Sequence, residues 1–151
     1  MMKKLFSVSV AGVLLFSMSM VVNAVEPEDA IEYRQAVMKT IVWNMKPMGT
    51  MVKGKMPFDA QAFAKRAENL AFLSKLPLEG FVSGSYKGDT DAKPTISDNW
   101  HNFKAKMANF EKEATELAKV AKTATALKEV RSQFGDTAKT CKACHKRYKS
   151  K

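Results

Sequence analysis

Downstream of residue 25, apolar side chains recur three and four positions apart, and no stretch alternates long enough to read as a strand. The first helix is predicted to start after Val25-Glu26-Pro27, with Pro27 in its first turn. Ile31, Met38, Met45 and Val52 mark its inner stripe at a spacing of seven, with Arg34, Ile41 and Met48 between them. Pro47 and Gly49 are expected to loosen its end, and Gly54-Lys55-Met56-Pro57 to turn the chain. Asp59 is the expected N-cap of a second helix, which turns Phe63, Ala67 and Leu70 inward and ends near Lys75, ahead of Pro77.

The pattern then breaks. Residues 77–97 contain Gly80, Gly84, Gly88 and Pro94 among Ser, Thr and Asp, and read as a long irregular connection. At about 20 residues it exceeds the usual connection length, so it serves a function or folds over something. The third helix has the cleanest stripe: Trp100, Phe103, Met107, Phe110, Ala114, Leu117 and Ala121, with Asp98 as its cap. The fourth follows with Leu127, Val130, Phe134, Ala138, Cys141, His145 and Tyr148, and its stripe continues through Gly135. That glycine costs roughly 1 kcal/mol relative to Ala. Short first and last connections with one long crossing predict an all-α domain, an antiparallel up-down four-helix bundle.

The N-terminus departs from this pattern. Met-Met-Lys-Lys precedes an apolar run from Leu5 to Val22 that closes on Val22-Asn23-Ala24. This describes a bacterial secretory signal peptide over residues 1–24, leaving residues 25–151 as the mature domain in the periplasm. An uncleaved anchor is the competing reading, but Ser7, Ser9, Ser17 and Ser19 dilute the run and no charged stop follows Val22. After cleavage nothing else reads as a membrane span. Composition agrees with a globular chain: hydrophobic residues make up 46%, too many for a disordered one. Lys and Arg number 25 against 15 Asp and Glu, a net charge of +10 that falls to +8 when Lys3 and Lys4 leave with the leader. A basic surface steers an acidic redox partner protein, or simply keeps the chain soluble. Nucleic acid is not an expected partner, because the chain is exported and carries no reading motif.

The chemistry concentrates near the C-terminus. The only two cysteines lie in Cys141-Lys142-Ala143-Cys144-His145, the Cys-x-x-Cys-His signature of c-type haem attachment. On a helix these residues face one side, so two thiols can bond the two vinyl groups of one porphyrin edge. His145 then serves as axial iron ligand. The same residues admit three other readings. A redox disulfide wants a βαβ context that the pattern lacks. Zinc wants a fourth ligand, and His101 is the sole other histidine. The third is a chance match with buried thiols. Export favours haem c, one per chain, bonded covalently through Cys141 and Cys144.

This motif on the last helix of a four-helix bundle resembles the cytochrome c′ family. Glu32-Tyr33-Arg34-Gln35-Ala36-Val37-Met38 resembles the family's first-helix segment. Val52-Lys53-Gly54 with Pro57-Phe58-Asp59 resembles its first turn, and Asp91-Ala92-Lys93-Pro94 a stretch of its long loop. The resemblance implies that Arg34 and Gln35 contact the haem. Arg34 falls on the inner stripe, where a charge needs a partner such as a propionate, or else snorkels to the bundle edge. It implies that Asp91 lies near the haem edge, although an ordinary turn Asp reads the same way. Lys149, four residues past His145, is either a basic residue by the proximal face or a solvated helix end. The family commonly dimerises through its first two helices, and Val37, Met51 and Phe72 are the apolar residues available for a homodimer.

Met38 carries the functional question. The resemblance places it over the distal face of the haem, where the family divides. In one subgroup the distal residue leaves the iron five-coordinate, open to NO or CO. In the other a Met binds the iron and the protein is a low-spin electron carrier with His145/Met38 ligation. Thioether chemistry allows both, since Met is an axial ligand and also a core filler. Ile41, Val42 and Trp43 are expected to make the distal side bulky and dry. The expected function is periplasmic electron transfer with NO and CO binding at five-coordinate iron. A peroxidase or NO reductase would need a distal acid–base pair, and His101 is the only spare His.

Overall fold

The structure is a computed structural model that describes residues 25–150; the leader expected over residues 1–24 lies outside the described residues. Four long helices form the body: α1 (Pro27–Val52), α2 (Ala60–Leu73), α4 (Trp100–Thr123) and α5 (Leu127–Tyr148). A single helical turn, α3 (Thr95–Asp98), leads into α4, and a 3-10 turn (Pro77–Gly80) follows α2. Each long helix packs on two others: α1 on α2 and α5, α4 on α2 and α5. Neighbours run antiparallel. Asn69 donates to Asn44 at 3.2 Å between α2 and α1, while Gln133 reaches Glu113 and Tyr148 reaches Asn102 between α5 and α4. This is the predicted up-down bundle.

Helix starts follow from local chemistry. Pro27 opens α1, and Glu28 and Asp29 place negative charge at the positive end of the helix dipole. The Asp59 side chain accepts from the Ala62 N–H at 2.9 Å and caps α2. Asp98 does not cap the third long helix; it closes α3, and Asn99 occupies the N-cap position of α4 without a side-chain cap bond. α2 ends at Leu73, two residues before the predicted Lys75.

α1 differs most from its sequence pattern. Instead of loosening at Pro47 and Gly49, it runs on to Val52. An interior proline costs about 3 kcal/mol, offset here by complete burial of Met48 and near-complete burial of Met51. The Gly49 backbone passes close to α5, where an added Cβ would lie 3.4 Å from the Phe134 ring. The inner stripe is also rotated. Ala30, Arg34, Val37, Ile41, Asn44, Met48 and Met51 are buried, as is Ile31 of the expected stripe, whereas Met38, Met45 and Val52 are only partly so. Val37 and Met51 are therefore core residues and unavailable to a dimer surface, while Phe72 is exposed.

On α5 the seam passes through Val130, Phe134, Thr137, Thr140 and Tyr148. Thr137, fully buried and unforeseen, bonds the carbonyls of Glu113 at 3.1 Å and Gln133 at 2.9 Å. His145, assigned to the inner stripe by the sequence pattern, is exposed, because the seam passes one turn to its side.

The core has two parts. A large cluster fills the middle of the bundle around Phe63, Leu70, Phe110, Leu117, Val130 and Phe134. A smaller one, Ile96, Phe103, Met107 and Tyr148, sits at the end where α4 begins and α5 finishes.

Candidate functional site

Cys141 and Cys144 are free, half-buried thiols one turn apart on α5. Cys141 packs against the large cluster and Cys144 against the smaller one. Met38, on α1, packs against both. The thiols therefore straddle a seam between two apolar clusters, and Met38 reaches the same seam from the facing helix. Burial pushes both thiols above their ordinary pKa; a weaker contact with the Thr140 hydroxyl opposes this at Cys141, as does the Lys106 charge at Cys144. Although His145 is exposed overall, partial loss of surrounding water, and then the Lys149 charge, lower its pKa from the usual value.

Of the three residues expected to keep the side near Met38 dry, one is buried. Ile41 is buried, but Val42 and Trp43 are 59% and 73% exposed, because they lie on the outer face of the rotated helix. Leu78, Phe81 and Tyr86 of the long connection, with Trp100 from α4, pack like Met38 against the smaller cluster. Apolar side chains between the glycines of an otherwise polar loop were the signal in the sequence. The Tyr86 hydroxyl donates to the Phe81 carbonyl at 3.2 Å.

Arg34 is 3% exposed, which excludes snorkelling to the bundle edge. Its Nη1 donates to the Gly80 carbonyl at 2.8 Å and to Ser85 Oγ at 2.6 Å. Its Nη2 donates to the Ser85 carbonyl and to Thr90 Oγ1, the latter at 2.8 Å. The guanidinium also lies over the Phe81 ring, 4.7 Å from its centre. Burial lowers its pKa, and the nearby Tyr86 opposes this; an arginine remains charged all the same. Every acceptor it meets is neutral, and no carboxylate forms an ion pair with it among the described residues. Gly80 permits this close approach, since a Cβ there would lie 2.8 Å from Arg34 Cβ.

Gln35 donates to the Asp89 carbonyl at 2.7 Å. The exposed Asp91 pairs with Lys149 at 2.7 Å, so Lys149 is not a free solvated helix end. The connection thus brings Arg34, Gln35 and Asp91 together at the end of the bundle that carries Cys144. His101 stands apart, on the wall of a cleft of about 360 Å³ whose lining includes neither Met38 nor His145.

Two thiols, one imidazole and an apolar seam fit a porphyrin held by thioether bonds. They fit a bare ion poorly: among the described residues no group of three or more His, Cys, Asp or Glu could hold one. The unpaired buried cation of Arg34 suits a group that brings its own carboxylates.

Comparisons with known proteins point the same way. Residues 29–149 match the family described as Cytochrome C′. A cytochrome c′ of Halomonas halodenitrificans is 42% identical over 125 residues, covering 80% of this chain and 95% of that protein. The structure of cytochrome c prime from Shewanella frigidimarina superposes with a TM-score of 0.82 at 47% identity, covering 85% of this chain and all of that one. A nitric oxide complex of a variant of cytochrome c prime from Alcaligenes xylosoxidans superposes with a TM-score of 0.78 at 35% identity, covering 85% and 99% of the two chains.

Proposed function

The chain belongs to the cytochrome c′ family, and from that premise we propose that it is a periplasmic monohaem cytochrome that exchanges electrons and binds NO or CO at a five-coordinate iron. Haem c, the cofactor of this family, supplies an iron that changes oxidation state and accepts diatomic gases. The chain's own residues do the rest. Cys141 and Cys144 would hold the porphyrin edge through thioether bonds, and His145 would supply a nitrogen ligand to the iron. Arg34 offers a buried positive charge for a propionate, while Gln35 and Asp91 complete that rim. Residues 1–24 direct export and are removed, and residues 25–151 form the mature domain. No catalytic step is assigned to any side chain.

The observation that carries the gas-binding reading is the position of Met38. It packs against two apolar clusters, and the hydroxyl of Tyr86, which packs against the smaller one, donates to a backbone carbonyl. Apolar surroundings of this kind disfavour O₂, whose bound form needs a hydrogen bond, and suit NO and CO. The nitric oxide complex among the structural relatives supports the same chemistry.

The test is an absorption spectrum of the ferric and ferrous protein, with and without CO, for wild type and Met38→Ala. High-spin ferrous spectra that shift readily with CO in both proteins are expected. A low-spin wild-type spectrum that ignores CO, and turns high-spin in Met38→Ala, would make the protein an electron carrier with His145/Met38 ligation.

A further inference from the structure

Five consecutive residues of the long connection touch both helices that face the candidate haem seam. The Asp89 carbonyl accepts from Gln35, and Thr90 Oγ1 from Arg34, both on α1. The next residues bind the end of α5. The Asp91 carboxylate meets Lys149 Nζ at 2.7 Å, and its carbonyl accepts from the Ser150 N–H at 2.8 Å. The Lys93 N–H donates to the Tyr148 carbonyl at 3.0 Å, and Ala92 pairs with Lys149 as an isolated antiparallel bridge.

We propose that residues 89–93 are a coupling strap that makes the Met38 side and the His145 side of the haem respond to one another. This rests on the roles assigned above to Met38 and His145. Arg34 precedes Met38 by four residues, one turn along the same helix face. Lys149 follows His145 by four, and its N–H donates to the His145 carbonyl at 3.1 Å. The two anchors, Thr90 and Asp91, are neighbours in sequence. One planar peptide with about 3.8 Å between Cα atoms separates them, so the strap has no slack to absorb a shift of α1. At the α1 anchor the Arg34 guanidinium is held by four bonds and buried. At the α5 anchor the stiffness lies in the backbone bonds, because the Asp91–Lys149 pair is about half exposed and contributes little by itself. A displacement at the distal side is thereby passed to the last turn of α5, and such coupling is reciprocal in binding.

Two variants each remove one tie at opposite ends of the strap, leaving the Gln35–Asp89 and Lys93–Tyr148 bonds in place, and neither alters a residue assigned to the haem. Thr90→Val removes the one acceptor of Arg34 that lies in the strap. Ser150→Pro removes the N–H that bonds Asp91, and Lys149 before it, at φ −112° and ψ 136°, already has backbone angles a following proline accepts. In hydrogen exchange on the holoprotein, Thr90→Val is expected to speed the Ser150 amide about three- to tenfold. Ser150→Pro is expected to change CO affinity by a similar factor, and the double variant to fall short of the product of the two. Unchanged exchange at Ser150, or changes in CO affinity that multiply in the double variant, would overturn the strap. If the wild type fails to bind CO, the gas-binding reading falls, and the exchange result still decides the strap.

Discussion

Arg34 is a cation held entirely by neutral oxygens. Its fork of donors fits the Gly80 carbonyl, both oxygens of Ser85 and the Thr90 hydroxyl at once. A lysine carries the same charge on one nitrogen with three donors and cannot span these acceptors. Arg34→Lys is therefore expected to destabilise the holoprotein by about 2–3 kcal/mol in denaturant unfolding, through lost charge-assisted bonds and orphaned carbonyls. An unchanged midpoint would show that the guanidinium geometry is dispensable. Thr137 teaches a related lesson. A polar residue on a helical stripe is easily read as surface, yet its hydroxyl is fully buried because the Glu113 and Gln133 carbonyls accept from it.

Among the helices, α5 carries both the candidate chemistry and a local weakness. Gly135 sits in its interior, and an added Cβ there meets nothing within 4 Å. Gly135→Ala is expected to raise stability by about 0.5–1 kcal/mol, seen as a higher unfolding temperature with an unaltered absorption spectrum. A decrease would mean that the glycine serves an approach from outside the chain. The α1 helix shows how far periodicity can be trusted. A 3.6-residue repeat with Met, Val, Ile and Ala at many positions fits two adjacent stripes almost equally well. Packing against α2 and α5 chose the stripe through Val37, Asn44 and Met51 over the one through Met38, Met45 and Val52.

At the scale of the whole molecule, the same rotation leaves apolar side chains in water. Val42 and Trp43 on α1, and Phe72 on the adjoining α2, are 59%, 73% and 66% exposed. No helix among the described residues is long and apolar enough to cross a membrane. A homodimer through the first two helices would cover these side chains. Sedimentation of the wild type as a dimer is expected, and of the Trp43→Glu/Phe72→Glu variant as a folded monomer. A wild type that sediments as a monomer at micromolar concentration would overturn the homodimer expected from the sequence.

By itself the sequence determined what is local. The number of long helices, the Pro27 and Asp59 starts, the α4 stripe and the Cys141-x-x-Cys144-His145 motif all depend on residues within a turn or two of one another, where steric and hydrogen-bonding rules act directly. Tertiary structure alone decided the rotation of the α1 stripe, that Val42 and Trp43 lie outside, and that Leu78, Phe81 and Tyr86 pack against the smaller cluster. It also decided that Arg34 and Lys149 are tied through neighbouring residues of one loop. Those contacts join positions 46 to 58 residues apart. No local pattern encodes them, because they form only once four helices have fixed the distance that the loop must cross.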